Sequence, residues 1–214
     1  MRVTKHEHAA LTVRHDGAAL VIDPGGFTAP FPPPPDLVAI VITHEHPDHW
    51  TAEHLRRLRG ADIPIFAPEG VAEAVRAEGT EFEITVVTPG ETQRVGPFEL
   101  RFFGGKHAVI HESIPVVDNV GVLVNESLYY GGDSYAVPEG VSVDVLAAPV
   151  GAPWLKISEA MDYVLAVAAA RVFSTHDMTL SPAGLNLGRA RLTWAAEQGG
   201  GTFVALDPGD SIDF

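Results

Sequence analysis

The stretch Leu37-Val38-Ala39-Ile40-Val41-Ile42 is unbroken, apolar and rich in β-branched residues, and it runs straight into Thr43-His44-Glu45-His46-Pro47-Asp48-His49. A run of that kind suits a strand covered on both faces, which requires packed layers on either side of its sheet. The segment after it places four metal-ligand side chains within six residues at the strand's carboxyl end. Extended backbone sends side chains i and i+2 to the same side, so His44 and His46 converge on one point. Pro47 then turns the chain towards a helix, which aims Asp48 and His49 at a second point close by. Neutral imidazoles and carboxylates suit Zn²⁺ and neighbouring first-row ions. A lone H-x-H pair is a weak signal, whereas H-x-H-x-D-H directly after a continuous apolar strand is far more specific.

Around this segment the pattern favours strands first and alternation later. Leu11–Val13 and Ala18–Ile22 flank Asp16-Gly17, a hairpin turn. Further strands are expected over Ile63–Ala67, Phe82–Val87, Phe98–Phe103, Val120–Val124 and Leu128–Tyr130, the last two joined by a tight Asn125-Glu126-Ser127 loop. Helices are expected from about Thr51 to Arg59 and from Glu69 to Ala77. From Val143 the order becomes strand (Val143–Ala147), helix (Ser158–Ala169, with Ser158 as N-cap), strand (Val172–Ser174), helix (Pro182–Gln198) and strand (Phe203–Leu206). Pro32 to Pro35 reads as a stiff surface loop, too short for a linker. With no repeat and no linker, one domain over 1–214 is expected. Its sheets would pack on each other beneath outer helices.

Composition excludes several roles. The formal charge is −14, from 28 acidic and 14 basic residues, so neither nucleic acid nor an anionic membrane surface is an expected partner. The absence of cysteine removes disulfides, thiol catalysis and Cys-type zinc sites. No apolar run approaches the roughly 20 residues of a spanning helix, and the opening MRVTKHEHAALTV is not of export-signal type. A cytoplasmic protein is the expectation.

Beyond these features the chain resembles the metallo-β-lactamase-fold hydrolases, within them the small single-domain branch related to ascorbate-phosphate-lactonase-like proteins. Besides the H-x-H-x-D-H segment, four stretches look like the family's other motifs in the expected order: Val21-Ile22-Asp23-Pro24-Gly25, Gly104-Gly105-Lys106-His107, Gly131-Gly132-Asp133-Ser134 and Ser174-Thr175-His176-Asp177. The resemblance implies an α+β, four-layer αβ/βα sandwich with two divalent metal ions at the edge between the sheets. Zn²⁺ is the first expectation, with Mn²⁺ or Fe²⁺ as alternatives. One ion would take His44, His46 and His107, the other Asp48, His49 and His176, with Asp133 spanning both and Asp23 bracing the histidine loop. His111 rivals His107, which is favoured for its place directly after a strand. His111 then becomes a pocket residue handling protons or substrate, beside Asp48 and Asp133 as the catalytic set.

Two such ions shift the formal balance from −14 to −10 and lower the pKa of bound water towards 7. A hydroxide shared by the ions would then cleave an ester, lactone, amide or phosphodiester bond of a small-molecule substrate. Residues matching secreted β-lactam-hydrolysing, flavin-coupled or RNA-processing relatives are missing: aspartate stands at 133 where the first carry cysteine, and His46 stands where the second carry glutamate. The RNA-processing type needs an inserted domain that 214 residues cannot hold. The competing readings are a catalytically silent metal-binding sensor or partner protein, and an iron-dependent oxidoreductase on the same fold. Lys106, Lys156 and Arg189 are candidates for binding an anionic group, and Trp154 for lining the pocket. His8 is a candidate for an outer position near the metals, His6 is discounted as a primary ligand, and His15 and His54 are expected to be solvated. A homo-oligomer is compatible with the sequence, which marks no surface for it.

Overall fold

The computed structural model describes residues 1–58, 63–80 and 82–214. β1 (Arg2–Lys5), β2 (Leu11–His15) and β3 (Ala18–Ile22) form an antiparallel meander. Asp16 and Gly17 both take positive φ at its hairpin, as the Asp-Gly pair predicts. β4 (Leu37–Val41) then joins β3 in parallel, followed by α1 (Ala52–Leu58), β5 (Ile65–Ala67), α2 (Glu69–Ala77) and β6 (Ile84–Val86), the strands again parallel.

The second half repeats the plan. β7 (Thr92–Val95), β8 (Phe98–Lys106), β9 (Asp118–Val124) and β10 (Leu128–Tyr130) are antiparallel. β11 (Val145–Pro149), α3 (Ile157–Val167), β12 (Arg171–Thr175), α4 (Pro182–Gln198) and β13 (Thr202–Phe203) extend the sheet in parallel. The last strand, β14 (Ser211–Asp213), returns to pair with β1. Among the described residues the two seven-stranded sheets therefore run β14-β1-β2-β3-β4-β5-β6 and β13-β12-β11-β10-β9-β8-β7.

Side-chain alternation along β4 shows why the layers form. Ala39 and Val41 face the inter-sheet core with Leu20, Phe98, Phe102, Val122, Tyr130 and Phe173. Ile40 and Ile42 face the other way, under Leu55 and Leu58 of α1 and Val71 and Val75 of α2. On the far side, Leu146, Val164, Leu192 and Ala195 join α3 and α4 to the second sheet. The result is the expected α+β four-layer αβ/βα sandwich. Each fully buried Leu, Ile or Phe in these layers contributes about 1.5–3 kcal/mol by leaving water.

Several boundaries differ from the sequence reading. Arg59, the expected end of α1, lies outside the described residues, and α1 begins at Ala52 because the Thr51 hydroxyl accepts the His54 amide. Ser158 is not an N-cap. Lys156 already holds the extended backbone that precedes α3, which puts Ser158 in the first turn. α3 stops at Val167 because Ala168 takes a left-handed conformation. Strand β8 runs three residues past Phe103, strand β11 is displaced to Val145–Pro149, and β13 shrinks to two residues. Among the described residues, no helix is long and apolar enough to cross a membrane.

Strand direction fixes where the motifs meet. β8 and β10 both run antiparallel to β9, and β11 and β12 run parallel to β10. The carboxyl ends of β8, β10 and β12 therefore lie at one edge, carrying His107, Asp133 and His176 just beyond them.

Candidate metal centre

Seven side chains anticipated from the motifs come together at this edge, joined by His8. Two groups form: His44, His46, His107 and Asp133, and His8, Asp48, His49 and His176, with the ligand atoms inside each group within 4.8 Å of one another. Asp133 reaches across the divide. Its Oδ1 lies 3.2 Å from His49 Nε2, and its Oδ2 lies 3.3 Å from His107 Nε2 and 3.1 Å from His176 Nε2.

The rings are aimed from behind. Buried Asp23, in a left-handed conformation, accepts the Thr43 amide at 2.8 Å, the Thr43 hydroxyl at 2.7 Å and His49 Nδ1–H at 2.7 Å. The Thr43 hydroxyl, having donated to Asp23, accepts from His44 Nδ1 at 3.1 Å. His107 Nδ1 donates to the Ala108 carbonyl and His176 Nδ1 to the Gly151 carbonyl. Each of these bonds fixes the Nδ1–H tautomer and leaves Nε2 bearing a lone pair directed inwards. His46 differs, presenting Nδ1 3.1 Å from His44 Nε2.

Asp133 is held by main-chain and side-chain partners that no local motif announces. Asn119 Oδ1 accepts its amide at 3.0 Å while Asn119 Nδ2 donates to Gly131 O at 2.9 Å. Gly132, at φ +62°, is a position where a Cβ would lie 2.5 Å from Asn119 Oδ1 and 2.7 Å from Thr43 Cβ. Trp154, anticipated only as a pocket wall, donates its indole N–H to Asp133 Oδ2 at 2.9 Å and packs edge-on against His107.

These residues fit a pair of cations. His49 Nε2, His107 Nε2, His176 Nε2 and Asp133 Oδ1 are buried polar atoms without hydrogen-bond partners among the described residues, and the three rings all lie against the same Asp133 carboxylate. Buried groups left in that condition need an explanation, and a bound ion is one. His8, which sequence reasoning placed in an outer position, completes the second group without being a suitable ligand itself. Its Nδ1 accepts the Met178 amide at 3.3 Å, which leaves the proton on Nε2, 3.1 Å from Asp48 Oδ2. It thus donates to Asp48 and orients that carboxylate.

Other candidates stand apart. His111 is exposed, its Nδ1 bonded to the Ser113 hydroxyl at 2.7 Å, in a turn outside both groups. Lys106 pairs with Asp118, Lys156 is exposed, and Arg189 is tied to Ser174, Asp207 and the Leu206 carbonyl. His6 stacks on Phe31 and bonds Thr12, and His15 sits half-buried beside Asp16. His54 is buried, against the expectation of a solvated ring, because Leu55 turns the helix inwards and His54 Nε2 reaches the Thr28 carbonyl at 3.1 Å.

The same carboxylates that would bind cations also favour protons on some of these rings. Burial pushes His176 down, but the neighbouring carboxylates of Asp133 and Asp48, 3.1 and 3.3 Å from its Nε2, outweigh it and raise the ring to about 9. Burial likewise opposes protonation of His49, and Asp133 and Asp23 overcome it, raising that ring well above its ordinary value. His44, dominated by burial and by the neighbouring His49, is held well below. Burial favours the neutral acids, yet the neighbouring rings of His176 and His8 hold Asp48 far below the carboxylate range, and the charges of His49 and His176 do the same for Asp133.

A pH dependence follows. A histidine raised from 6.5 to about 9 stabilises the fold fully below 6.5, and that contribution is lost as pH rises through 9. Chelator-treated protein is therefore expected to melt about 5–10 °C lower at pH 9 than at pH 6.5, with a smaller change in metal-loaded protein. Metal affinity should rise over the same window, with protons released on binding. Parallel melting curves at the two pH values, with and without metal, check this. Equal losses in both forms would contradict it.

Comparison with known proteins bears on the fold that carries these residues. Residues 2–176 match the family described as the beta-lactamase superfamily domain. Protein Rv0786c of Mycobacterium tuberculosis is 39% identical over 198 residues, covering 90% of this chain and 92% of that protein. Igni18, a metallo hydrolase from the archaeon Ignicoccus hospitalis, superposes with a TM-score of 0.73 at 19% identity, over 100% of this chain and 98% of that one. CmlA, a diiron β-hydroxylase from Streptomyces venezuelae, superposes with a TM-score of 0.77 at 17% identity, over 100% of this chain but 54% of its own. At those identities the two structures speak for the fold alone.

Proposed function

The chain belongs to the beta-lactamase superfamily domain family, and from that premise we propose that it is a dinuclear, metal-dependent hydrolase of a small molecule. The observation that carries this reading is the convergence of unpartnered, buried ligand atoms from His49, His107, His176 and Asp133 on one space. His44, His46, His107 and Asp133 would hold one ion, and Asp48, His49, His176 and Asp133 the other. Zn²⁺ is the favoured ion for an all-nitrogen-and-carboxylate donor set, with Mn²⁺ and Fe²⁺ as the alternatives. When bound, such a pair supplies a nucleophile from water at neutral pH and polarises the substrate oxygen.

The chain's own residues do the rest. Asp23 and Thr43 lock the tautomers of His49 and His44. Trp154 donates to Asp133 Oδ2 and so weakens that oxygen as a charge donor, which would leave more positive charge on any bound ions. Asp48, with its side chain 21% exposed, is the carboxylate of the set that meets incoming substrate. The net reaction adds water across the scissile bond: the acyl or phosphoryl atom gains hydroxyl, and the leaving group departs with a proton.

Purified protein should carry close to two transition-metal ions per chain by elemental analysis. Chelation should abolish hydrolysis of at least one member of a panel of esters, lactones, amides and phosphodiesters, and Zn²⁺ or Mn²⁺ should restore it. Stoichiometric metal with no turnover across the panel would favour the silent sensor. Bound iron with substrate-dependent oxygen consumption would favour the oxidoreductase. Protein that takes up no metal would defeat all three.

A further inference from the structure

We propose that the apolar cavity beside Asp48 and His176 is the substrate's substituent site, and that it takes an uncharged hydrocarbon group attached to the scissile ester or lactone carbonyl. The proposal rests on the hydrolase reading above and narrows it to a substrate class. The cavity measures about 380 Å³, near the lower end of small-molecule pockets. Asp48 and His176 form its inner side, and Phe27, Pro47 and Pro153 supply apolar walls. Thr51 and Thr179 also line it, but both hydroxyls are turned to the backbone, Thr51 accepting the His54 amide and Thr179 donating to Gly151 O at 3.3 Å. What they leave facing the space is chiefly methyl.

No lysine or arginine is among the described residues lining the cavity. The three cations that might answer an anionic substituent are engaged or elsewhere: Lys106 with Asp118, Arg189 with Asp207 and the Leu206 carbonyl, and Lys156 on the exposed surface. A charged substituent placed among these walls would lose hydration with no lysine or arginine to pair with, since Asp48 and His176 at the inner side belong to the metal centre. A phosphorylated or dicarboxylate substituent is disfavoured on that ground.

The wall points the same way, since Phe27, a large apolar side chain exposed by 49%, lines this cavity and packs edge-on against His8 beside the centre. By contrast, a cavity of about 480 Å³ at the other end of β1 and β2 is lined by Arg2, Arg14, Asp36 and Asp213, whose charges pair with one another.

The test titrates Zn²⁺-loaded protein with the linear carboxylates acetate to hexanoate, and with glutarate, by calorimetry. A carboxylate is the product such a reaction would release, and it can engage the ions while its chain enters the cavity. Affinity should rise about 4-fold for each added CH₂, and pentanoate should bind at least about 10-fold tighter than glutarate, which differs by a terminal charge. Phe27→Ala should flatten the chain-length increment without changing metal content, and Phe27→Arg should invert the pentanoate-to-glutarate preference. Phe27 is half-exposed, so both variants should fold, and their melting curves check this. Two bound ions with acetate binding but no increment, or equal affinity for pentanoate and glutarate, would overturn the proposal while sparing the hydrolase reading. Failure to load metal would overturn that reading, and this proposal with it.

Discussion

Asp133→Ala is expected to leave a folded protein that binds one ion or none and loses hydrolysis by well over the roughly 100-fold that losing an outer partner costs. The reason lies in the reach of one carboxylate. Oδ1 faces His49 at 3.2 Å, and Oδ2 faces His107 at 3.3 Å and His176 at 3.1 Å, so both groups of ligands share it. Alanine removes the negative charge between two sets of imidazoles, which would otherwise offset the repulsion between two bound cations. It also frees the Trp154 indole N–H, whose acceptor is Asp133 Oδ2. Asp133→Asn separates the two effects, since it preserves shape and an oxygen for Trp154 while removing the charge. Elemental analysis and turnover on the same preparations decide the matter. An Asp133→Ala protein with two ions and unchanged turnover would remove the carboxylate from the centre.

How much of this was legible in the sequence depended on whether the signal was local. The H-x-H-x-D-H segment was readable because it sits within one turn after a strand whose two faces, Ala39 and Val41 against Ile40 and Ile42, are both buried. The distant members His107, Asp133 and His176 were found through motif order, and strand direction is what physically unites them. Asn119 and the Trp154–Asp133 hydrogen bond escaped because neither leaves a periodicity or a spacing, only a three-dimensional proximity. His8 escaped as an orienting residue because its role depends on the tautomer that the Met178 amide imposes. Strands β1, β7 and β14 were missed for another reason. Arg2–Lys5, Thr92–Val95 and Ser211–Asp213 mix polar and apolar residues at or near sheet edges, where pairing rather than burial makes the strand. His54 reads as solvated on a polar-looking helix, and the Thr28 carbonyl that receives its ring is a partner distant in sequence.

Lys5→Met should cost about 3–5 kcal/mol of stability, the penalty for stripping the partner from a buried charge. Lys5 is fully buried, its Nζ 2.8 Å from Asp177 Oδ2 and 2.9 Å from the His6 carbonyl. Asp177 is buried too, and its Oδ1 has no hydrogen-bond partner among the described residues, so Lys5 is what balances it. For a chain of this length the loss corresponds to a fall of roughly 10–15 °C in melting temperature. The consequence should extend to the metal centre, because Asp177 adjoins His176 and the His8 carbonyl accepts the His176 amide at 2.8 Å. The pair thus fastens the end of β1 to the loop that presents His176. Replacing both charges, Lys5→Met with Asp177→Leu, should recover most of the stability, since two apolar groups of similar size do not carry the desolvation cost of a lone carboxylate. Melting curves of the single and double variants test the ion pair. A Lys5→Met protein within about 1 kcal/mol of the parent would show that water reaches Asp177 and that the fastening lies elsewhere, in the backbone bonds between His8 and the His176 loop.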